Sequence, residues 1–155
     1  MKKVGLALGG GGARGLSHIQ FLKVLDDLNV SPGIISGTSI GSIIGALYAS
    51  GLSGRDIEEL AENISWKQVL PMFDFSLFAN SGLVKGGGVM EYLEKHIPVT
   101  QFNQLDIPLK ISAADFWLRK ERVFEEGDLL TAIRASISIP GLFRPLQLED
   151  GIMVD

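Results

Sequence analysis

Apolar positions come in short blocks cut by glycine, and their spacing changes from block to block. Residues 4–8 (VGLAL) are a continuous apolar run of strand length, and the glycine-rich GGGGARG at 9–15 leaves it as a loop. From Leu16 the apolar residues recur at Ile19, Phe21, Leu22, Leu25 and Leu28, which predicts a helix over 16–28. Pro32-Gly33 opens a second strand at 34–36. The period switches to helical at Ser39, and that helix ends near Gly51. Ser53 with Asp56, then Glu58 and Glu59, marks the start of a helix that runs to about Asn63.

A less regular stretch follows, with VLPMFDFSLF at 69–78 and GLVKGGG at 82–88, before a helix at 89–96. Pro108 introduces a strand at 109–117, and 122–124 can pair with it as a hairpin. Asp128 can cap a helix through about Ser136, which stops before Ile139-Pro140-Gly141. Residues 146–149 and 152–154 read as a second hairpin around an Asp150-Gly151 turn. Strands alternating with helices predict an α/β sandwich with a mostly parallel central sheet, and ligand sites in such sheets lie at the carboxyl ends of the strands. Both glycine-rich turns leave such ends.

Composition narrows the functions open to this fold. At 155 residues and 46% hydrophobic content, the chain is the size of one globular domain with a proper core. Its formal charge of -4 argues against nucleic acid as a partner and weakly opposes docking on an anionic membrane. With no cysteine, disulfides, thiol catalysis and cysteine-ligated metals are excluded, in keeping with a cytoplasmic protein. The apolar run after Met1-Lys2-Lys3 is too short for a signal peptide, and no apolar run reaches the roughly 18 residues of a membrane span. The expectation is a soluble protein, at most peripheral to a membrane, and the sequence is silent on oligomeric state.

Of the 13 serines, Ser39 alone has glycines two residues before and after it, Gly37 and Gly41. Gly-x-Ser-x-Gly between a strand and a helix is the arrangement that presents a nucleophilic hydroxyl on a sharp turn, where neighbouring chain leaves no room for side chains. A serine nucleophile needs a base, yet the chain holds only 2 histidines, His18 and His96, and neither sits where a Ser-His arrangement would put it. His18 falls in the first turns of the helix after the glycine loop, where it packs or hydrogen-bonds. His96 ends a helix, where a cation favours the helix dipole.

The glycine loop admits more than one use. Gly10, Gly12 and Gly15 match Gly-x-Gly-x-x-Gly, a dinucleotide-binding pattern, but the acidic residue expected at the end of the second strand is absent. A P-loop would need Lys-Ser or Lys-Thr after Gly15, where the chain has Leu16-Ser17. The third use fits both glycine turns together: unhindered amides of Gly10, Gly11 and Gly12 can converge on an oxyanion formed at Ser39. Arg14 either orients this loop or attracts a phosphate, or is a helix-end arginine with structural hydrogen bonds only.

Gly9-Gly10-Gly11-Gly12-Ala13-Arg14-Gly15, Leu16-Ser17-His18, Gly37-Thr38-Ser39-Ile40-Gly41 and Ala135-Ser136-Ile137-Ser138-Ile139-Pro140-Gly141-Leu142-Phe143 together resemble a bacterial patatin-like phospholipase. The resemblance spans nearly the whole chain. It implies a three-layer α/β/α sandwich, a lipid acyl hydrolase of phospholipase A or lysophospholipase type, a phospholipid or lysophospholipid substrate, and neither cofactor nor metal. It also implies a Ser-Asp dyad, which supplies the missing base. Asp155, after the second hairpin strand, stands where the family places that aspartate, and Asp150, followed by Gly151, is the second candidate.

The family pattern continues past its aspartate into further glycines, a strand and a helix, so this single patatin-like domain is expected to be truncated. As a terminal residue, Asp155 is expected to fray and the chain to turn over little substrate. Residues 72–78 (MFDFSLF) read as core, or alternatively as an acyl-binding wall or lid. The competing functions are a noncatalytic lipid-binding module of the same fold and a dinucleotide- or phosphate-binding protein.

Overall fold

The computed structural model describes residues 4–63 and 87–155. Residues 69–78, with the core, acyl-wall or lid role expected of 72–78, and residues 82–86 lie outside them. Strand β1 (Gly5–Leu8) leads through a 3-10 turn, Gly12–Leu16, into helix α1 (Ser17–Asp27). Strand β2 (Ile34–Thr38) runs into helix α2 (Ile40–Ala49), and helix α3 (Gly54–Asn63) follows. After helix α4 (Gly87–His96) come strands β3 (Leu109–Asp115) and β4 (Lys120–Phe124), helix α5 (Leu129–Ser136), and strands β5 (Leu146–Leu148) and β6 (Gly151–Val154).

Local chemistry accounts for the boundaries. Ser53 and Asp56 cap α3 reciprocally: the Asp56 amide donates to Ser53 Oγ at 3.2 Å and the Ser53 amide donates to Asp56 Oδ2 at 2.8 Å. At α5, Asp128 accepts from the Thr131 amide at 2.7 Å, the side-chain cap that its position predicts. Helix α2 is apolar on every side and all ten of its residues are buried, as a helix with no polar face must be. It lies against β2 and fills the centre of the core with Leu8, Ile35, Ile111, Leu129 and Ile133.

The core of the sheet is parallel, β1 beside β2 beside β3, with β4, β5 and β6 added antiparallel. Both crossovers, through α1 and through α2, advance in one direction along the sheet, and right-handed crossovers of that kind put their helices on the same face. Leu8, Ile35, Ile111 and Ala113 are buried on that face, while Ala7, Ser36 and Lys110 on the other are exposed. The described residues thus build the sheet and one of the two expected helical layers. None of the described helices is long and apolar enough to cross a membrane.

The registers explain how two distant stretches meet. Strand β4 occupies one edge of β3 along Ile111–Asp115. On the other edge β2 pairs as far as Thr38 opposite Ser112, and β6, running the opposite way, pairs from Met153 opposite Asp115 to Val154 opposite Ala114. Two chain segments therefore approach each other along one edge and leave only the row of Ala113 between them. Ser39 follows β2 into that row and Asp155 follows β6 into it.

Two turns differ from expectation. Strand β3 ends at Asp115, short of the expected 117, and residues 116–119 make its turn to β4, where Asp115 pairs with Lys120. The hairpin between β5 and β6 closes with Leu148 opposite Gly151, so its turn residues are Glu149 and Asp150. Gly151 belongs to the strand, for a packing reason: a side chain there would collide with the buried Asp115.

Candidate active site

Ser39 sits at the N-terminus of α2 with φ 54° and ψ -126°, a backbone conformation that costs a residue other than glycine about 1–3 kcal/mol. Three hydrogen bonds hold it there. Its amide donates to Ser136 Oγ at 2.9 Å, and its carbonyl accepts from the Ser42 amide at 2.9 Å and from Ser42 Oγ at 2.6 Å. Ser136 Oγ in turn donates to the Ser112 carbonyl at 2.6 Å, so one buried hydroxyl ties the turn to β3. The flanking glycines are required by close approach. A Cβ on Gly37 would lie 2.7 Å from the Ser42 Cα, and one on Gly41 2.6 Å from the Leu8 carbonyl carbon.

The Ser39 hydroxyl donates to Asp155 Oδ2, and the meeting of β2 and β6 makes this contact across 116 residues of sequence. Asp155 is held, not frayed: its amide donates to the Ser138 carbonyl at 3.0 Å. The expectation of a loose terminal residue is corrected by that bond and by the Ser39 contact. Burial pushes the Asp155 carboxyl above the ordinary carboxylate range, opposed in part by the hydrogen bond from Ser39. A carboxylate short of water is a stronger proton acceptor than a solvated one, and the hydroxyl bonded to it is placed to deliver its proton.

Asp150 is placed elsewhere. It is exposed on its turn and paired with Arg122 at 2.9 Å. Ser138, whose carbonyl holds Asp155, is itself fixed by Arg134, which donates to Ser138 Oγ at 2.6 Å and to the Arg144 carbonyl at 2.6 Å. The three serines 112, 136 and 138 thus frame the pair from α5 and β3. In the sequence, 136 and 138 are part of the stretch 135–143, and nothing local gives either a role. The available signal was serine at two buried positions beside an apolar helix face.

The glycine loop lies against the same turn. A Cβ on Gly10 would sit 3.3 Å from the Ser39 Cβ, and Gly11 and Gly12 take φ of 136° and 54° to bend the chain into the 3-10 turn. Amides at the start of such a turn have no partner within it. Arg14 is exposed, its amide donating to the Gly11 carbonyl at 3.1 Å. His18 Nε2 lies 2.9 Å from the Gly9 carbonyl, which braces the loop from behind. His96 stacks on Tyr92, with ring centroids 4.1 Å apart, far along the chain from this cluster. Among the described residues no three His, Asp or Glu side chains group as a metal site would require.

What the arrangement can do is transfer an acyl group. It joins a buried hydroxyl on a strained turn at a helix N-terminus, a partly desolvated carboxylate in contact with it, and a bend of glycine residues alongside.

The family model "Patatin-like phospholipase" matches residues 6–155. An uncharacterized NTE family protein of Mycobacterium tuberculosis is 31% identical over 153 residues, covering 99% of this chain and 42% of that protein. The lysophospholipase NTE1 of Pyricularia oryzae is 30% identical over 162 residues, covering 99% of this chain and 10% of its own. This chain therefore spans less than half the length of either relative. The crystal structure of VipD from Legionella pneumophila superposes over 100% of this chain and 46% of its own with a TM-score of 0.78 at 14% identity, a likeness of fold.

Proposed function

This chain belongs to the patatin-like phospholipase family, and from that premise we propose that it is a serine acyl hydrolase in which Ser39 and Asp155 form the catalytic dyad. The chain carries the dyad of a patatin-like catalytic domain that acts on fatty-acyl esters of phospholipids or lysophospholipids. The observation that carries this reading is the hydrogen bond from the Ser39 hydroxyl to Asp155 Oδ2 on a turn that only the Gly37 and Gly41 positions permit.

The steps follow from the groups present. Ser39 Oγ attacks the ester carbonyl carbon while its proton passes to Asp155 Oδ2, and the carbonyl π electrons move onto oxygen. The resulting oxyanion accepts from amides of Gly10, Gly11 and Gly12, on the loop that approaches Ser39. In such sites one donor contributes about 3 kcal/mol to transition-state stabilisation. Collapse of the intermediate breaks the bond to the leaving alkoxide, and the protonated Asp155 gives that oxygen its proton. Water then attacks the acyl carbon while Asp155 takes its proton, the bond from that carbon to Ser39 Oγ breaks, and Asp155 returns the proton to Oγ as the fatty acid leaves. Arg14, exposed beside the loop, is available to a substrate phosphate.

The test is covalent labelling with a fluorophosphonate probe, which reacts only with an activated serine. Labelling lost on Ser39→Ala supports the reading. Labelling that persists in that variant overturns it.

A further inference from the structure

Besides the Ser39–Asp155 pair, the carboxyl end of the sheet carries three consecutive apolar side chains with most of their surface in water. Phe116 is 53%, Trp117 69% and Leu118 65% exposed. They form the turn between β3 and β4, which the pair Asp115–Lys120 closes. Phe116 lies three residues beyond Ala113, the row that Ser39 enters. At about 3.3 Å per residue the turn stands roughly 10 Å beyond the level of Ser39.

The turn is ordered before it meets anything. Buried Asp115 accepts through Oδ1 from the amides of Trp117 at 2.9 Å and Leu118 at 2.8 Å. The Arg119 amide donates to the Asp115 carbonyl at 2.9 Å, and the Phe116 amide to the Ile152 carbonyl at 2.8 Å. Phe116 and Trp117 pack edge to face with centroids 5.1 Å apart. A turn so fixed gives up little conformational freedom when it is covered, and an aromatic ring with a polar edge is suited to the boundary between headgroups and acyl chains.

Charge around the turn is close to balanced. Exposed Arg119 and Lys120 adjoin it, Arg122 is paired with Asp150, Glu121 accepts from Ser112 Oγ at 2.9 Å, and Glu149 lies on the neighbouring hairpin turn. With a chain charge of -4 besides, attraction to anionic lipid contributes little, and burial of apolar surface drives the contact.

We propose that the Phe116–Trp117–Leu118 turn inserts into a phospholipid surface and holds the Ser39 end of the sheet against it, with Arg119 and Lys120 meeting headgroup phosphates. This rests on the lipid-hydrolase reading and adds where the chain meets the surface that holds its substrate.

The test compares two chains, both carrying Ser39→Ala so that binding is read without hydrolysis, one of them also carrying Phe116→Ser, Trp117→Ser and Leu118→Ser. Co-sedimentation with phosphatidylcholine vesicles is expected to weaken by about 100-fold in the second chain. With Ser39 restored, the turn variant is expected to hydrolyse a water-soluble short-chain ester at the unaltered rate and vesicle lipid more slowly, with an unchanged circular dichroism spectrum. Equal sedimentation of the two chains, including none of either, overturns the proposal. So does vesicle binding that appears only with phosphatidylserine, or a loss of self-association in place of a loss of vesicle binding. Absence of any esterase activity would count against the hydrolase reading alone, because sedimentation still decides the role of the turn.

Discussion

Removing the Ser136 hydroxyl tests whether the turn at residue 39 is held in place from β3. Ser136 is fully buried, accepts from the Ser39 amide at 2.9 Å and donates to the Ser112 carbonyl at 2.6 Å. In Ser136→Ala both groups lose this partner, and a buried amide left unbonded costs about 1–3 kcal/mol. Because that amide belongs to a residue already strained at φ 54°, the backbone has reason to relax and carry the hydroxyl away from Asp155. The expected loss is about 2–3 kcal/mol of stability, read as a lower urea midpoint with an unchanged slope. A displacement of about 1 Å at a nucleophile lowers kcat by roughly 10²-fold with little effect on KM. Ser50→Ala is the control, since its hydroxyl only returns to the Leu47 carbonyl one turn back at 2.8 Å. If Ser136→Ala matches Ser50→Ala in both midpoint and kcat, the brace has no energetic meaning and the reasoning fails.

Gly41→Ala forces a methyl group to within 2.8 Å of the Gly9 carbonyl oxygen, backbone against backbone, and is expected to cost more than 3 kcal/mol in chemical denaturation. Asp128→Ala removes the cap of α5 and is expected to cost about 1 kcal/mol in the same assay without changing KM. Asp155 has a folded pKa above its unfolded value, so the folded state binds more protons and stability falls as pH rises from about 4 through the folded pKa. Asp155→Asn does not titrate. Its urea midpoint relative to the parent chain is expected to rise across that window, and a difference independent of pH would refute the burial argument.

The sequence carried those features that depend on near neighbours. Ser39 between Gly37 and Gly41, the Asp128 cap and the Ser53–Asp56 cap are all set within a few residues, and the structure has each of them. The hairpin of β3 and β4 was legible for the same reason. What was not legible depends on contacts between remote segments. Ser136 meets Ser39 across 97 residues, and the hold on Asp155 comes from the Ser138 carbonyl, a group with no side-chain signature. The placement of β6 on the edge of β3 beyond the end of β2 is a matter of register, which no local pattern encodes. The same holds for Gly151: its role is to make room for Asp115 across a strand pair, while the dipeptide Asp150-Gly151 locally suggests a turn.

The central claim is that the carboxylate of Asp155 takes the proton of Ser39, and the most direct measurement is kcat for a water-soluble ester in Asp155→Asn beside Asp150→Asn. The account predicts a loss of about 10³-fold or more for the first, with an intact fold, and no change for the second, whose partner is Arg122. A chain that keeps its rate with asparagine at 155 contradicts it.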